Sequence, residues 1–180
     1  MTEIVLKYNT GLRRLGAAII DTLVFAPLII ADKLIRDTFE NKIGILLWLT
    51  IITAITILYS VYFHLKFGQT VGKMVAKVKV VDISETKNIS LKQALLRDSV
   101  YIIFEIIRLG YFATLIMKFL MPTSNLLEDY DDFGMIISLV WVGLELTSML
   151  TNSKKRAIHD FLAGTVVIRT RIDSKKVPNE

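Results

Sequence analysis

Four apolar segments, separated by polar stretches, dominate the hydrophobic pattern along this chain. They cover residues 15–31, 43–65, 99–121 and 133–150. Each approaches the roughly 20 residues with which an α-helix crosses about 30 Å of hydrocarbon. The pattern therefore predicts an all-α membrane protein, in which residues 1–180 form a single domain built on a four-transmembrane-helix bundle.

The polar stretches contain shorter periodic segments. Met74–Val81 and Thr165–Arg171 alternate apolar and polar residues and are rich in valine, which is typical of strands. Because an isolated strand leaves its backbone groups unpaired, we expect these two to pair in a small cytosolic β element. Amphipathic segments after Ser90 and within 153–164 predict helices along the cytosolic membrane surface. Pro27 predicts a bend in the outer part of the first span.

Basic residues are unevenly distributed between these stretches. Of the 22 lysines and arginines, 17 lie in the N-terminal segment up to Arg14, the loop 66–97 or the tail 152–180. The outer link 32–42 holds three, and the loop before the fourth span is acidic. By the positive-inside rule, the three basic regions and both termini are cytoplasmic in a multi-pass protein of the cell membrane. This placement accounts for the net charge of +5 without nucleic acid as a partner.

Ionisable residues interrupt the apolar segments. An ionised carboxylate in hydrocarbon costs a few kcal/mol or more unless it finds a partner, a proton or water. We expect Asp21 to point into the bundle, toward Arg108, Glu105 or Glu145, with the small Ala18 allowing a neighbouring helix to approach. The predicted polar core, serving transport or structure, consists of Arg14, Asp21, Glu105, Arg108 and Glu145.

The charges of this predicted core allow two interpretations. Three carboxylates exceed what Arg108 neutralises, so at least one would be protonated or would bind a cation. The spacing of three between Glu105 and Arg108 also permits a local, purely structural ion pair.

One face of the second predicted span carries hydroxyl groups. This face serves either helix packing or a water-lined pathway. Its members are Thr50, Thr53, Thr56, Ser60 and His64.

Several classes of chemistry find no support in the sequence. The segment from Gly68 to Lys73 superficially resembles a phosphate-binding loop, but three residues separate its glycines and Met74 occupies the position of the required Ser or Thr. The chain has no cysteine and two histidines, and no nucleophile motif is evident. We therefore expect no enzyme activity, no metal site and no cofactor.

Three motifs resemble those of the RDD family of bacterial and archaeal membrane proteins. They are Arg-Arg-Leu-Gly-Ala-Ala-Ile-Ile-Asp near the start, Gly-Gln-Thr-Val-Gly-Lys before the first strand, and Lys-Arg-Ala-Ile-His-Asp-Phe-Leu-Ala-Gly-Thr-Val-Val near the end. The family is named for one arginine and two aspartates. The resemblance places the arginine at Arg13 or Arg14 and the aspartates at Asp21 and Asp160. The matching motif positions also include Gly68, Gly72 and His159.

Two functions remain open at this stage. The resemblance implies a loose association with membrane transport, including sodium/proton antiport, and the buried carboxylates favour a cation or proton transporter. The alternative is a non-transporting accessory or regulatory protein that binds a partner through its basic cytosolic surface. Candidate partners are the lipid bilayer with anionic lipids, a monovalent cation or proton, a second copy of the chain, or another membrane protein.

Overall fold

The computed structural model describes residues 3–38, 41–118 and 123–170. These residues form eight helices and two strands. In chain order they are α1 (Glu3–Tyr8), α2 (Gly11–Val24), α3 (Ala26–Thr38), α4 (Lys42–Phe67), α5 (Val71–Val75), β1 (Val78–Asp82), α6 (Leu91–Lys118), α7 (Thr123–Leu150), α8 (Ile158–Leu162) and β2 (Thr165–Arg169).

Three of the described helices are long and apolar enough to cross a membrane, namely α4, α6 and α7. Helices α2 and α3 meet this criterion together as a pair bent by 53°. The bend lies beside Pro27, whose ring excludes the Leu23 carbonyl and which has no N–H to donate to it. The predicted bend is therefore confirmed, and the number of spanning elements is four if the bent pair crosses as one.

Helices α6 and α7 begin before the third and fourth predicted spans, because no helix-breaking residue separates the added segments from the spans. The amphipathic segment after Ser90 does not turn into a separate span, because residues 91–109 contain neither glycine nor proline and α6 runs through them unbroken. The acidic stretch before the fourth span likewise belongs to α7. Residues 119–121 of the third predicted span and 171–180 of the tail lie outside the described residues.

The two predicted strands pair antiparallel, from Val78 opposite Arg169 to Asp82 opposite Thr165. This confirms the predicted pairing, with shorter bounds. Met74 lies in α5 rather than in β1, and Lys77 between them adopts a positive φ of 58° that ends the helix before the strand begins.

A chain reversal at Gly68 brings α5 back beside the long helices. Gly68 has a φ of 68° and donates its N–H to the His64 carbonyl, ending α4. A Cβ atom there would lie 2.6 Å from the Val80 oxygen, so glycine is required by both conformation and space. Thr70 caps α5 by accepting the Lys73 N–H at 3.4 Å.

Two apolar clusters hold the described residues together. One joins α4, α6 and α7 through Ile45, Phe112 and Leu126. The other packs the sheet through Val78, Val80 and Val167. The sheet, α5 and α8 lie where α4 and α7 end and α6 begins, and we call this the sheet end of the bundle.

Large apolar side chains cover the outside of the long helices. Leu58 on α4 is 67% exposed and Leu139 on α7 is 65% exposed. Such continuous apolar exposure is far from the usual surface of a water-soluble monomer and suits contact with lipid chains.

Candidate functional site

The residues of the predicted polar core occupy three separate places. Asp21 contacts α5, whereas Arg14 and Glu145 join a charge cluster at the sheet end. Glu105 and Arg108 line a cavity in the middle of the bundle. The expected single cluster is therefore wrong.

Asp21 is held by the segment that follows Gly68. Its carboxylate accepts hydrogen bonds from the Tyr59 hydroxyl at 2.9 Å, the Thr70 hydroxyl at 2.6 Å and the Gly72 N–H at 2.8 Å. The prediction that Asp21 points toward Arg108, Glu105 or Glu145 is wrong, because α5 folds back and supplies these donors. Through these three hydrogen bonds, Asp21 links α2 to α4 and to α5.

Because Gly72 has no side chain, α5 can lie close to α2 at this point. A Cβ atom at Gly72 would overlap the Ala17 carbonyl and lie 2.8 Å from the Asp21 carboxyl carbon. Ala17 is accordingly buried in the contact, whereas Ala18 is exposed. The small residue that lets a neighbouring helix approach is therefore Ala17 rather than Ala18. This is because α2 packs against α5 through the stripe of residues that contains Asp21.

Asp160 is the centre of the charge cluster at the sheet end. It is completely buried, and Arg14 donates to its Oδ2 at 2.6 Å while Arg97 donates to its Oδ1. Ala157 N–H adds a bond of 3.0 Å. Burial alone would raise the pKa of Asp160, but the guanidinium groups of Arg97 and Arg14 outweigh it and hold that pKa well below its usual range.

The two adjacent arginines make different contacts. Arg14 pairs with Asp160, whereas Arg13 donates to the Ala76 carbonyl at 2.9 Å. Of the two candidates for the motif arginine, Arg14 is thus the one that pairs with a motif aspartate.

His159 connects this cluster to Glu145. Its Nδ1 lies 2.8 Å from a Glu145 oxygen, and Arg97 approaches its Nε2 at 2.7 Å. Because an arginine can only donate, Nε2 accepts and the proton of the neutral ring resides on Nδ1, facing Glu145. Burial, together with the charge of Arg97, lowers the pKa of His159, so the neutral ring is the form this site favours.

Glu105 and Arg108 border a polar cavity of about 220 Å³. Arg108 donates to Glu105 Oε1 at 2.7 Å, whereas Oε2 has a long bond of 3.4 Å from Thr53. The spacing-based prediction of a local Glu105–Arg108 pair is confirmed. Glu105 lies 14 residues from the start of α6 and 13 from its end, which puts the cavity floor near the middle of the bundle.

Arg36 closes the side of the cavity toward the end opposite the sheet. It donates to Asp131 at 2.7 and 3.0 Å and pairs with Asp32 at 2.9 Å. Asp131 is eight residues after the start of α7, about 12 Å along the helix. The cavity lining is completed by Leu49, Ile52, Thr53, Thr56, Tyr101 and Tyr130.

The partner of His64 was not predicted from the sequence. The Lys73 amine lies 2.6 Å from His64 Nε2, and the Ser60 hydroxyl lies 3.2 Å from His64 Nδ1. The spacing of four between Ser60 and His64 was visible in the sequence. The return of Lys73 to this face depends on the reversal at Gly68, which no periodicity indicates.

Among the residues that the structure describes, no group of three His, Asp or Glu side chains is arranged to hold a metal ion. Compared with known protein families, the chain matches the model of the RDD family over residues 8–164. No curated protein and no solved structure matches it.

Proposed function

The chain belongs to the RDD family and is an integral membrane protein, and on this premise we propose that it exchanges a monovalent cation for protons across the cell membrane, with Glu105 as the carboxylate that binds either one. The observation that carries the proposal is the polar cavity beside Glu105, enclosed by helices that are apolar enough to cross a bilayer.

The charge of the cavity lining favours a cation. Three carboxylates, Asp32, Glu105 and Asp131, face two guanidinium groups, Arg36 and Arg108. One negative charge is left over when all five are ionised, and such an excess attracts a cation or a proton.

Glu105 offers a suitable ligand set for this exchange. Its Oε2 accepts only the long bond from Thr53, and Thr56 and Tyr101, which line the same cavity, also carry hydroxyl groups. Oxygen ligands suit small hard cations. A proton and a cation at the same carboxylate exclude each other, and this competition supplies the coupling.

Asp21 and Glu145 have other roles in this mechanism. The Asp21 carboxylate is already engaged by three donors, and Glu145 is engaged by His159. We therefore assign the exchange to Glu105 and the packing of the sheet end to the other two carboxylates.

In the proposed orientation the sheet end and both termini face the cytoplasm. The support is the concentration of 17 of the 22 basic residues in the segments that lead to this end. Exposed lysines there, such as Lys77, Lys87 and Lys92, would contact anionic headgroups. No catalytic role is assigned to any residue.

The same basic surface supports the alternative of an accessory protein. Three long helices and one bent pair make a thin scaffold for a pathway, and a second copy or another membrane protein would then complete the assembly. In that case the sheet end is the docking surface and the cavity is structural.

Purified protein in liposomes provides the test. A sodium or potassium gradient should drive proton movement in the wild type, and Glu105→Gln should lower the rate at least about a hundredfold, because glutamine cannot exchange a proton. Glu128→Gln, an exposed acid on α7, is the matched control and should keep the wild-type rate. No coupled flux in the wild type with either cation would instead favour the accessory function.

A further inference from the structure

The amine of Lys73 meets the imidazole of His64 beneath the cavity, on the side of the sheet end. Lys73 is half-buried and keeps part of its surface exposed, and its amine lies 2.6 Å from His64 Nε2. The second ring nitrogen of His64 faces the Ser60 hydroxyl at 3.2 Å. Two groups that can each carry a proton are thus in direct contact.

Charged groups from several elements surround this amine. Arg14 on α2, Arg97 and Asp98 on α6, and Asp160 on α8 all act on it electrostatically. Asp21 bonds to Gly72, the residue before Lys73. Burial and the two guanidinium groups lower the pKa of Lys73 to about 7, so its amine changes protonation near neutral pH.

Side chains with hydroxyl groups are spaced along α4 between this pair and the cavity. Ser60 follows Thr56 by four residues on α4, one helical turn or about 6 Å along the axis. Thr56 lies 3.4 Å from the Tyr101 hydroxyl, and Thr53, one turn further, lies 3.4 Å from Glu105. These residues belong to the hydroxyl-bearing face predicted for the second span, on which Thr56 also donates to the Ile52 and Thr53 carbonyls.

We propose that Lys73 and His64 form the proton-exchange pair through which protons pass between Glu105 and the cytoplasm. The proposal rests on the proposed function and adds the route of its proton. When a proton passes from outside to inside, it arrives at His64 Nδ1 from the side of the Ser60 hydroxyl. The proton on Nε2 then moves to the neutral Lys73 amine. The resulting ammonium gives its proton to water, so one proton enters and one leaves. His64 ends in the other neutral tautomer.

The test compares Lys73→Met and Lys73→Arg with Lys66→Met. Methionine has no proton to exchange, and arginine keeps its proton at every accessible pH. Lys66 is exposed near the end of the same helix as His64 and serves as the control. In liposomes, both Lys73 variants should lose cation-coupled proton flux at least about a hundredfold, and Lys66→Met should retain it.

Two further measurements separate this route from a structural role. Stabilisation of the detergent-solubilised protein by sodium or potassium reports cation binding at Glu105, and Lys73→Met should keep it. The unfolding temperature of the wild type should rise between pH 7 and 10, because the unfolded amine still holds its proton where the folded one has lost it. Lys73→Met should lack this rise.

The outcomes distinguish the two proposals. Wild-type flux and an unchanged pH profile in Lys73→Met would overturn the exchange pair and leave Glu105 in place. Absence of coupled flux in the wild type would overturn both the proposed function and the proton route. This holds even if the unfolding temperature depends on pH through Lys73.

Discussion

Arg14 and Asp160 are 146 positions apart in the chain, and their side chains meet at 2.6 Å. This ion pair joins α2 to α8, the short helix before β2. Since Asp160 is fully buried and also holds Arg97, removing either partner leaves a buried charge without its full compensation.

We therefore expect Arg14→Ala to lower the free energy of unfolding by about 3 to 5 kcal/mol. The adjacent Arg13→Ala is the control, because it loses only the bond to the Ala76 carbonyl, about 1 to 3 kcal/mol. Denaturant titration in detergent measures both. If both variants lost the same free energy of unfolding, the ion pair with Asp160 would not be the main contribution of these two arginines to stability.

Asp21→Asn should preserve both the fold and any coupled flux. The asparagine oxygen can still accept from Tyr59 and Gly72, and its amide can donate to the Thr70 hydroxyl. Asp21→Leu removes all three bonds and should cost about 1 to 3 kcal/mol for each donor left unpaired. Flux abolished in a stable Asp21→Asn protein would return this carboxylate to the transport mechanism.

Gly72→Ala should be destabilising by about 1 to 3 kcal/mol, because the new methyl group overlaps the Ala17 carbonyl. Gly143→Ala on α7 has open space around the new atom, and the higher helix propensity of alanine should add up to about 1 kcal/mol of stability. Thermal unfolding in detergent compares the two variants. Equal changes in the unfolding temperature of the two variants would contradict a close contact between α2 and α5.

Acid should weaken the contact between α1 and the turn after β1. Glu85 accepts from Lys7 at 2.6 Å, Tyr8 at 2.5 Å and Lys154 at 2.7 Å. Partial burial tends to raise the pKa of Glu85, but these hydrogen bonds lower it from 4.5 to about 2.

The stabilisation is therefore complete above pH 4.5 and is lost as the pH falls through about 2. The difference in unfolding temperature between the wild type and Glu85→Gln should shrink over this interval. A difference that does not change with pH would mean that the charge of Glu85 contributes nothing.

The orientation is testable because the chain has no cysteine. A thiol probe that cannot cross membranes should label Asp129→Cys but not Lys87→Cys in intact cells, since 129 lies on the outer side in the proposed orientation. Both positions are exposed. The reverse labelling pattern would place the sheet end outside.

Periodicity along the sequence predicted the spanning segments and the pairing of β1 with β2, because burial and alternation leave a local signal. Apart from the local pair of Glu105 and Arg108, it did not predict which charges meet. Asp21 and Glu105 are both carboxylates within apolar helices, and nothing in their spacing indicates that α5 returns to one of them. That return depends on a single left-handed residue, Gly68.

The pairing of β1 with β2 has a consequence for biosynthesis. Thr165 is synthesised 83 residues after Asp82, its partner in β1, and after the segments that form α6 and α7. Until then the backbone of β1 has no partner strand. We expect a chain that stops before Thr165 to lack the sheet and to be degraded faster than a chain that contains β2.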